Sequence, residues 1–174
     1  RRCLVGSEMC IRDSTFPVII KYYNMEFVME NQKRLSNLTL LKKGELKYPD
    51  SPDNAELQTF ENMNNHRDFW ITFETPEFTS LCPLTGQPDF AFITIKYIPN
   101  EKIVESKSLK LYIFSFRQVG TFYEEIVNRI YDDLYETLNP RTLIVEAKFT
   151  PRGGITSTVK AVSYTHLRAH ETSP

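Results

Sequence analysis

The residue whose type and setting invite chemistry is Cys82. It sits in PEFTSLCPLTGQPDF (76–90), a stretch punctuated by Pro76, Pro83, Gly86 and Pro88. Proline fixes the backbone and glycine opens left-handed conformations, so 75–88 reads as a constrained loop between strands, a place where functional groups are often displayed. Asp89 follows at the start of the next apolar run. A thiolate adds to an electrophilic carbon and a nearby carboxyl moves a proton, so this pair is a minimal set for covalent addition with proton transfer. The spacing is equally met by a cysteine that acts as a small apolar residue.

Three other places carry reactive types. In ESKSLKLY (105–112), Lys107 and Lys110 share one helical face and could hold phosphates, or simply face solvent. Glu105 and Ser106 lie at the helix start, where backbone N–H groups are free, and Ser106 is the expected N-cap. Glu124 and Glu125 open a second helix and complement its dipole, while a pocket-facing Glu would accept two parallel N–H bonds from a guanine-like edge. Arg152, in PRGG (151–154), fits a turn residue or a phosphate anchor, and His66 reads as an exposed loop histidine. Neither GxGxxG nor GxxxxGK[ST] occurs, so a Rossmann or P-loop nucleotide site has no support.

The chain has 174 residues, 41% hydrophobic and 25% charged, with a formal net charge of −1. That composition fits one globular domain and gives no basic footprint for direct nucleic-acid binding or a polybasic membrane surface. No apolar run approaches the length of a membrane helix. The two ends read differently from the middle. LVGSEMCIRDS (4–14) and VSYTHLRAHET (162–172) resemble translations of one sequencing-library transposon adapter in inverted orientation. Residues 1–14 and 162–174 are therefore expected to be adapter-derived. Residues 15–28 are open to reading as upstream DNA, with Met25 or Met29 as initiator and the true C-terminus missing.

Without those tails, one cysteine (Cys82) and one histidine (His66) remain. A lone cysteine forms no internal disulfide, which fits a reducing, cytoplasmic setting. One Cys and one His also fall short of a zinc site, so no metal is expected.

Around the reactive residues, residues 15–59 read as a polar N-terminal arm and 60–161 as the folded domain. DFWITFE (68–74) and DFAFITIKYI (89–98) read as strands, with KIVE (102–105) pairing back after a Pro99-Asn100 turn. Leu109, Tyr112, Ile113 and Phe116 form a helical stripe. Phe122, Ile126, Ile130, Leu134 and Leu138 form a second one, ended by Asn139-Pro140. Residues 143–149 alternate as a half-buried strand, and 155–159 reads as the last strand. The expected class is α+β, an antiparallel four-stranded sheet with two helices in ββααββ order. Its open edges call for pairing between subunits.

PEFTSLCPLTGQPDF, ESKSLKLY and KFTPRGG (148–154) together resemble the NADPH-dependent 7-cyano-7-deazaguanine (preQ0) reductases, the QueF family, over roughly residues 60–160. The resemblance implies the tunnelling fold, shared with GTP cyclohydrolase I, and stacked rings of subunits with sites between neighbours. It implies reduction of the preQ0 nitrile to the amine preQ1 on the queuosine tRNA-modification pathway. Under it, Cys82 forms a covalent thioimide and Asp89 supplies a proton. Val104, Glu105, Ser106, Tyr123 and Glu124 contact the substrate, and Lys107, Lys110 and Arg152 contact NADPH. Tyr123 stands where the family often has His, and a phenol does not shuttle protons near neutrality as imidazole does. A differently reacting or non-catalytic purine- or pterin-binding protein of the same fold is the competing expectation.

Overall fold

The computed structural model describes residues 35–36, 38–39 and 48–163. Met25, Met29, residues 1–34 and residues 164–174 lie outside the described residues, so most of both adapter-like tails does too. The elements below all belong to the compact unit that starts at Asn37.

In chain order these are β1 (Thr59–Glu61), β2 (Ile71–Leu81), β3 (Pro88–Ile98), β4 (Lys102–Val104), α1 (Ser106–Phe114), α2 (Tyr123–Leu138), β5 (Thr142–Phe149) and β6 (Thr158–Val162), with a 3-10 turn at Ser115–Gln118 after α1. The class is α+β, with antiparallel sheets and two helices. One sheet has the order β2-β3-β5-β6, and β1 and β4 form a separate two-stranded sheet. The element order is thus longer than ββααββ. Residues 102–104 do not pair back on β3: Lys102 faces Glu61 and Val104 faces Thr59.

β2 corrects the sequence reading most. It runs seven residues beyond Glu74, and the loop shrinks to residues 82–87. Pro76 is accommodated because the β2–β3 register shifts between Thr75 and Phe78; a bulge frees the backbone position that proline leaves without a donor. The last strand begins at Thr158, three residues later than expected, because Arg152 and Ile155 close their own turn with two backbone bonds of 3.0 Å. The turn needs Gly153 and Gly154, both at positive φ.

One face of the main sheet is the core. Phe78, Ile93, Ile95, Tyr97, Leu143, Val145 and Phe149 from the strands meet Leu109, Tyr112, Phe116, Ile126, Ile130, Leu134 and Leu138 from the helical side. Each such apolar side chain contributes roughly 1.5–3 kcal/mol on burial. Phe122, expected on the α2 stripe, instead precedes the helix as its N-cap and is half exposed. α2 ends on Asn139 in the left-handed region (φ 43°), one residue before Pro140. The opposite sheet face displays Phe90 and Phe92. The polar stretch before β2 is not loose throughout: Leu38, Pro52, Gln58 and Asn62 are buried.

Candidate active site

Cys82 lies just past the end of β2 in a tight loop. Its N–H donates to Gln87 O (2.8 Å) and its carbonyl accepts from Gly86 N–H (2.9 Å). Gly86 sits at φ +68°, where a side chain would be strained. The loop is therefore one closed ring of backbone, with the thiol half-buried at its start. The Thr85 hydroxyl, then the N–H groups of Thr85 and Leu84, draw the thiol below its ordinary value, and the Arg152 charge adds to this against desolvation. Hydrogen bonds that favour the thiolate make the nucleophile available nearer neutrality.

Asp89, the second residue of β3, is buried, at 4% exposure. Its Oδ1 receives the Tyr123 hydroxyl at 2.7 Å and pairs with Arg152 Nε at 2.7 Å. Arg152 also donates to Pro88 O (2.8 Å), Gln87 O (3.4 Å) and Gln87 Oε1 (3.3 Å). The guanidinium thus ties the carboxylate to the strand end that closes the cysteine loop, using several prongs of its fixed fork. It stands here as a partner of Asp89, not as a cation open to an incoming phosphate.

Tyr123 reaches Asp89 because of how α2 begins. Leu81 N–H donates to Val119 O (2.9 Å) and Thr121 N–H to Leu81 O (3.1 Å). These bonds lay residues 119–121 beside the end of β2. At Gly120 an added Cβ would come within 3.4 Å of Pro83 Cα, so the two loops touch backbone to backbone. Glu125 caps the helix start, accepting from Thr121 Oγ1 (2.6 Å) and Phe122 N–H (3.3 Å). The Tyr123 ring stacks on Phe149 at 3.8 Å and 11°. Burial, then the bond to Asp89 and that carboxylate's charge, hold the phenol above its ordinary value, with Arg152 opposing. Tyr123 is therefore a fixed hydroxyl donor across the neutral range.

Cys82, Asp89, Tyr123 and Arg152 form one cluster. Glu124 follows Tyr123, with its carboxylate on the exposed surface. Val104, Glu105 and Ser106 form a second group at the start of α1. Val104 is core, at 2% exposure. Glu105, not Ser106, is the α1 N-cap: its two oxygens accept the N–H groups of Lys107 and Ser108, each at 2.8 Å. Glutamate serves here because it is buried and reaches two orphan N–H groups at once. Ser106 is already the first helical residue, with its hydroxyl 3.4 Å from Glu105 Oε1. His66 is exposed and accepts from Arg67 Nε.

Lys107 is half-buried and Lys110 is exposed. Lys110 lines a cavity of about 240 Å³ together with Arg117, Tyr48 and Phe114. Arg117 lies 4.3 Å over the Phe114 ring, and Tyr48 meets that ring at 4.6 Å. The sequence reading missed Arg117, and also Thr85. Arg117 directly follows Phe116, the last residue of the α1 stripe, in the 3-10 turn, and Thr85 is three residues from the thiol; only folding gives either position meaning.

The arrangement can present a thiolate beside a carboxylate, a phenol and a guanidinium. A profile described as QueF-like protein matches residues 88–168. An NADPH-dependent 7-cyano-7-deazaguanine reductase of Streptococcus thermophilus is 54% identical over 127 residues, which cover 73% of this chain and 78% of the relative. The chain belongs to the QueF family.

QueF relatives carrying the same name in Staphylococcus saprophyticus and Bacillus cytotoxicus are 53% and 54% identical, over 72% and 70% of this chain and 75% and 73% of theirs. Among solved structures, the archaeosine synthase QueF-Like in its apo form matches with a TM-score of 0.51 at 22% identity, over 54% of this chain and 92% of that one. That likeness concerns the fold. Among the described residues, no helix is long and apolar enough to cross a membrane.

Proposed function

We propose that this QueF-family chain reduces the nitrile of preQ0 to the aminomethyl group of preQ1, with NADPH, in queuosine biosynthesis. The observation that carries the reading is Cys82, a thiol drawn toward its thiolate at the rim of a loop that Arg152 ties to a buried carboxylate. It is joined by the 54% identity to a reductase of that name.

The Cys82 thiolate adds to the nitrile carbon, breaking one C–N π bond, and the nitrogen takes a proton from Asp89, giving a thioimide. Bound NADPH would supply hydride, one from each of two equivalents; between them Cys82 leaves the former nitrile carbon as a thiolate as the C–S bond breaks, giving an imine. Overall, nitrile, two hydrides and two protons give the primary amine. Asp89 is reprotonated between steps, and Tyr123 and Arg152 hold it between its proton transfers. The Glu124 carboxylate is assigned to the N–H edge of the deazaguanine, and the Val104–Ser106 segment at the start of α1 to further substrate contact.

The residues present would hold one phosphate of a dinucleotide rather than the whole of it: Lys110 and Arg117 are cations on a cavity of about 240 Å³ that also carries the acidic Glu77, which is on the order of 16 Å along the strand direction from Cys82. Lys107 and Lys110 are assigned to the cofactor, and Arg152 is reassigned to Asp89.

The same proposal includes a cytoplasmic homo-oligomer of stacked rings in the tunnelling fold. Among the described residues, the outer edges of β6 and of β2 before Leu81 have no strand partner, and with the exposed Phe90 and Phe92 they support assembly. The catalytic unit is residues 60–161, with the adapter-derived segments 1–14 and 162–174 outside it, although β1 starts at Thr59 and β6 runs on to Val162.

Loss of NADPH absorbance on adding preQ0 to the purified protein tests the reading, together with mass spectrometry for an adduct. The expected result is oxidation of two NADPH per preQ0 and an adduct on Cys82, both abolished in Cys82→Ala. No oxidation by the unmutated protein, or full activity in Cys82→Ala, overturns it.

A further inference from the structure

Ser80 is out of place energetically. Its residue exposure is 0%, and its hydroxyl is the single buried side-chain polar atom among the described residues without a hydrogen-bond partner. Buried hydroxyls are normally paired, because an unmade bond forfeits the hydration the group had in water. Alanine would fill the same space without that penalty, so the hydroxyl asks for a use outside the arrangement seen here.

Its position supplies one. Ser80 on β2 stands directly across from Asp89 on β3. Directly opposed antiparallel residues hold their Cβ atoms about 4.5–5.5 Å apart on the same face, so a change of rotamer brings the Ser80 hydroxyl to the Asp89 carboxylate. In the present arrangement both Asp89 contacts, from Tyr123 and Arg152, fall on Oδ1. With Oδ1 held by two donors, a carboxyl that swings to hand its proton to substrate gives up those bonds and needs another donor. As the proton leaves, negative charge develops on a desolvated carboxyl, where one aimed donor has most effect.

We infer that Ser80 is a positioning residue for the reaction, whose hydroxyl donates to the Asp89 carboxylate in its proton-delivering orientation and is left unpaired when Asp89 returns to Tyr123 and Arg152. The serine keeps its own proton throughout. This rests on the reductase reading above. The charged and titratable groups on Asp89 are Arg152 from the 151–154 turn and Tyr123 from α2, Cys82 of the loop acts electrostatically on both, and all three are retained in the test.

The test compares the unmutated protein, Ser80→Ala, Asp89→Asn and the double variant in the full chain, by preQ0-dependent NADPH oxidation across pH and by thermal unfolding. For Ser80→Ala the expected result is a kcat lower by about 10-fold, KM for preQ0 unchanged, the alkaline limb of the kcat profile moved to higher pH, and a melting temperature equal or raised. In the Asp89→Asn background the same substitution changes kcat no further, because the two act as one unit. A Ser80→Ala protein with unchanged kcat and pH profile overturns the inference. So does a lowered melting temperature with activity intact, which would mark a structural hydroxyl. An unmutated protein that oxidises no NADPH overturns the reductase reading itself, an outcome distinct from an active enzyme indifferent to Ser80.

Discussion

Arg152 Nε and Asp89 Oδ1 meet at 2.7 Å, and the same guanidinium holds Pro88 O at 2.8 Å. One side chain from the turn before β6 therefore fixes both the carboxyl to which we assign proton transfer and the backbone on which the Cys82 loop closes. The two charged partners stand 63 positions apart in the chain, and the β3–β5 register that aligns Ala91 with Phe149 brings them together.

Replacing Arg152 by Ala is expected to lower kcat 10- to 100-fold with a smaller change in KM for NADPH. It should also cost about 1–3 kcal/mol of stability, since a buried carboxylate loses a charged donor. Arg152→Lys restores little, because an ammonium cannot span Asp89 and the two carbonyls. Steady-state kinetics with varied NADPH decide it: a pure KM effect would return Arg152 to the cofactor.

Tyr123→Phe removes a single hydroxyl while keeping the ring that stacks on Phe149. The melting temperature should barely move, while preQ0 reduction falls about 10-fold. Unchanged turnover would mean that Asp89 is oriented by Arg152 alone.

The thiol makes a prediction in pH. Its value is drawn down chiefly by the Thr85 hydroxyl. Iodoacetamide labelling of Cys82 should therefore reach half its maximal rate at a lower pH than a free thiol, and Thr85→Val should move that midpoint upward. An identical labelling curve in the two proteins would remove Thr85 from the account.

At the alkaline end, burial raises the Tyr97 phenol to about 12, from 10.0. A buried acid whose folded value is raised contributes stability in full below the unfolded value, and that contribution is lost as pH rises through the folded one. Urea unfolding should thus show stability falling between pH 10 and 12, less steeply in Tyr97→Phe. Tyr112, raised by burial and by its bond to Asp133, slopes in the same direction.

Ile130, fully buried under the sheet, tests the core. Ile130→Ala should cost about 2–5 kcal/mol, read as an earlier urea midpoint. The Cys82 labelling midpoint should stay in place in the folded protein, because the loop's hydrogen bonds are local.

The strand at 89–98 and the four-residue repeat of α2 were legible because period and residue type report burial directly: Ala91, Ile93, Ile95 and Tyr97 alternate inward, and Ile126, Ile130, Leu134 and Leu138 line one helix face. Pro76 misled, since proline marks a break unless a bulge absorbs it, and a bulge depends on the partner strand. Ser106 misled as a cap because serine is the usual choice; Glu105 takes the role once folding buries it and points its oxygens at the helix start.

By itself the sequence determined the α+β class, the two helices, the loop that carries Cys82 and the resemblance that reaches the QueF family, all of which depend on neighbouring residues and on motifs read in order. Only the tertiary structure decided that Arg152 belongs to Asp89, that Tyr123 donates to the same oxygen, and that Ser80 faces that carboxyl with nothing to bond. Those relations are set by strand register and by the packing of α2 against the sheet. A charge or a hydroxyl carries no mark in the sequence of the partner that desolvation will force it to find.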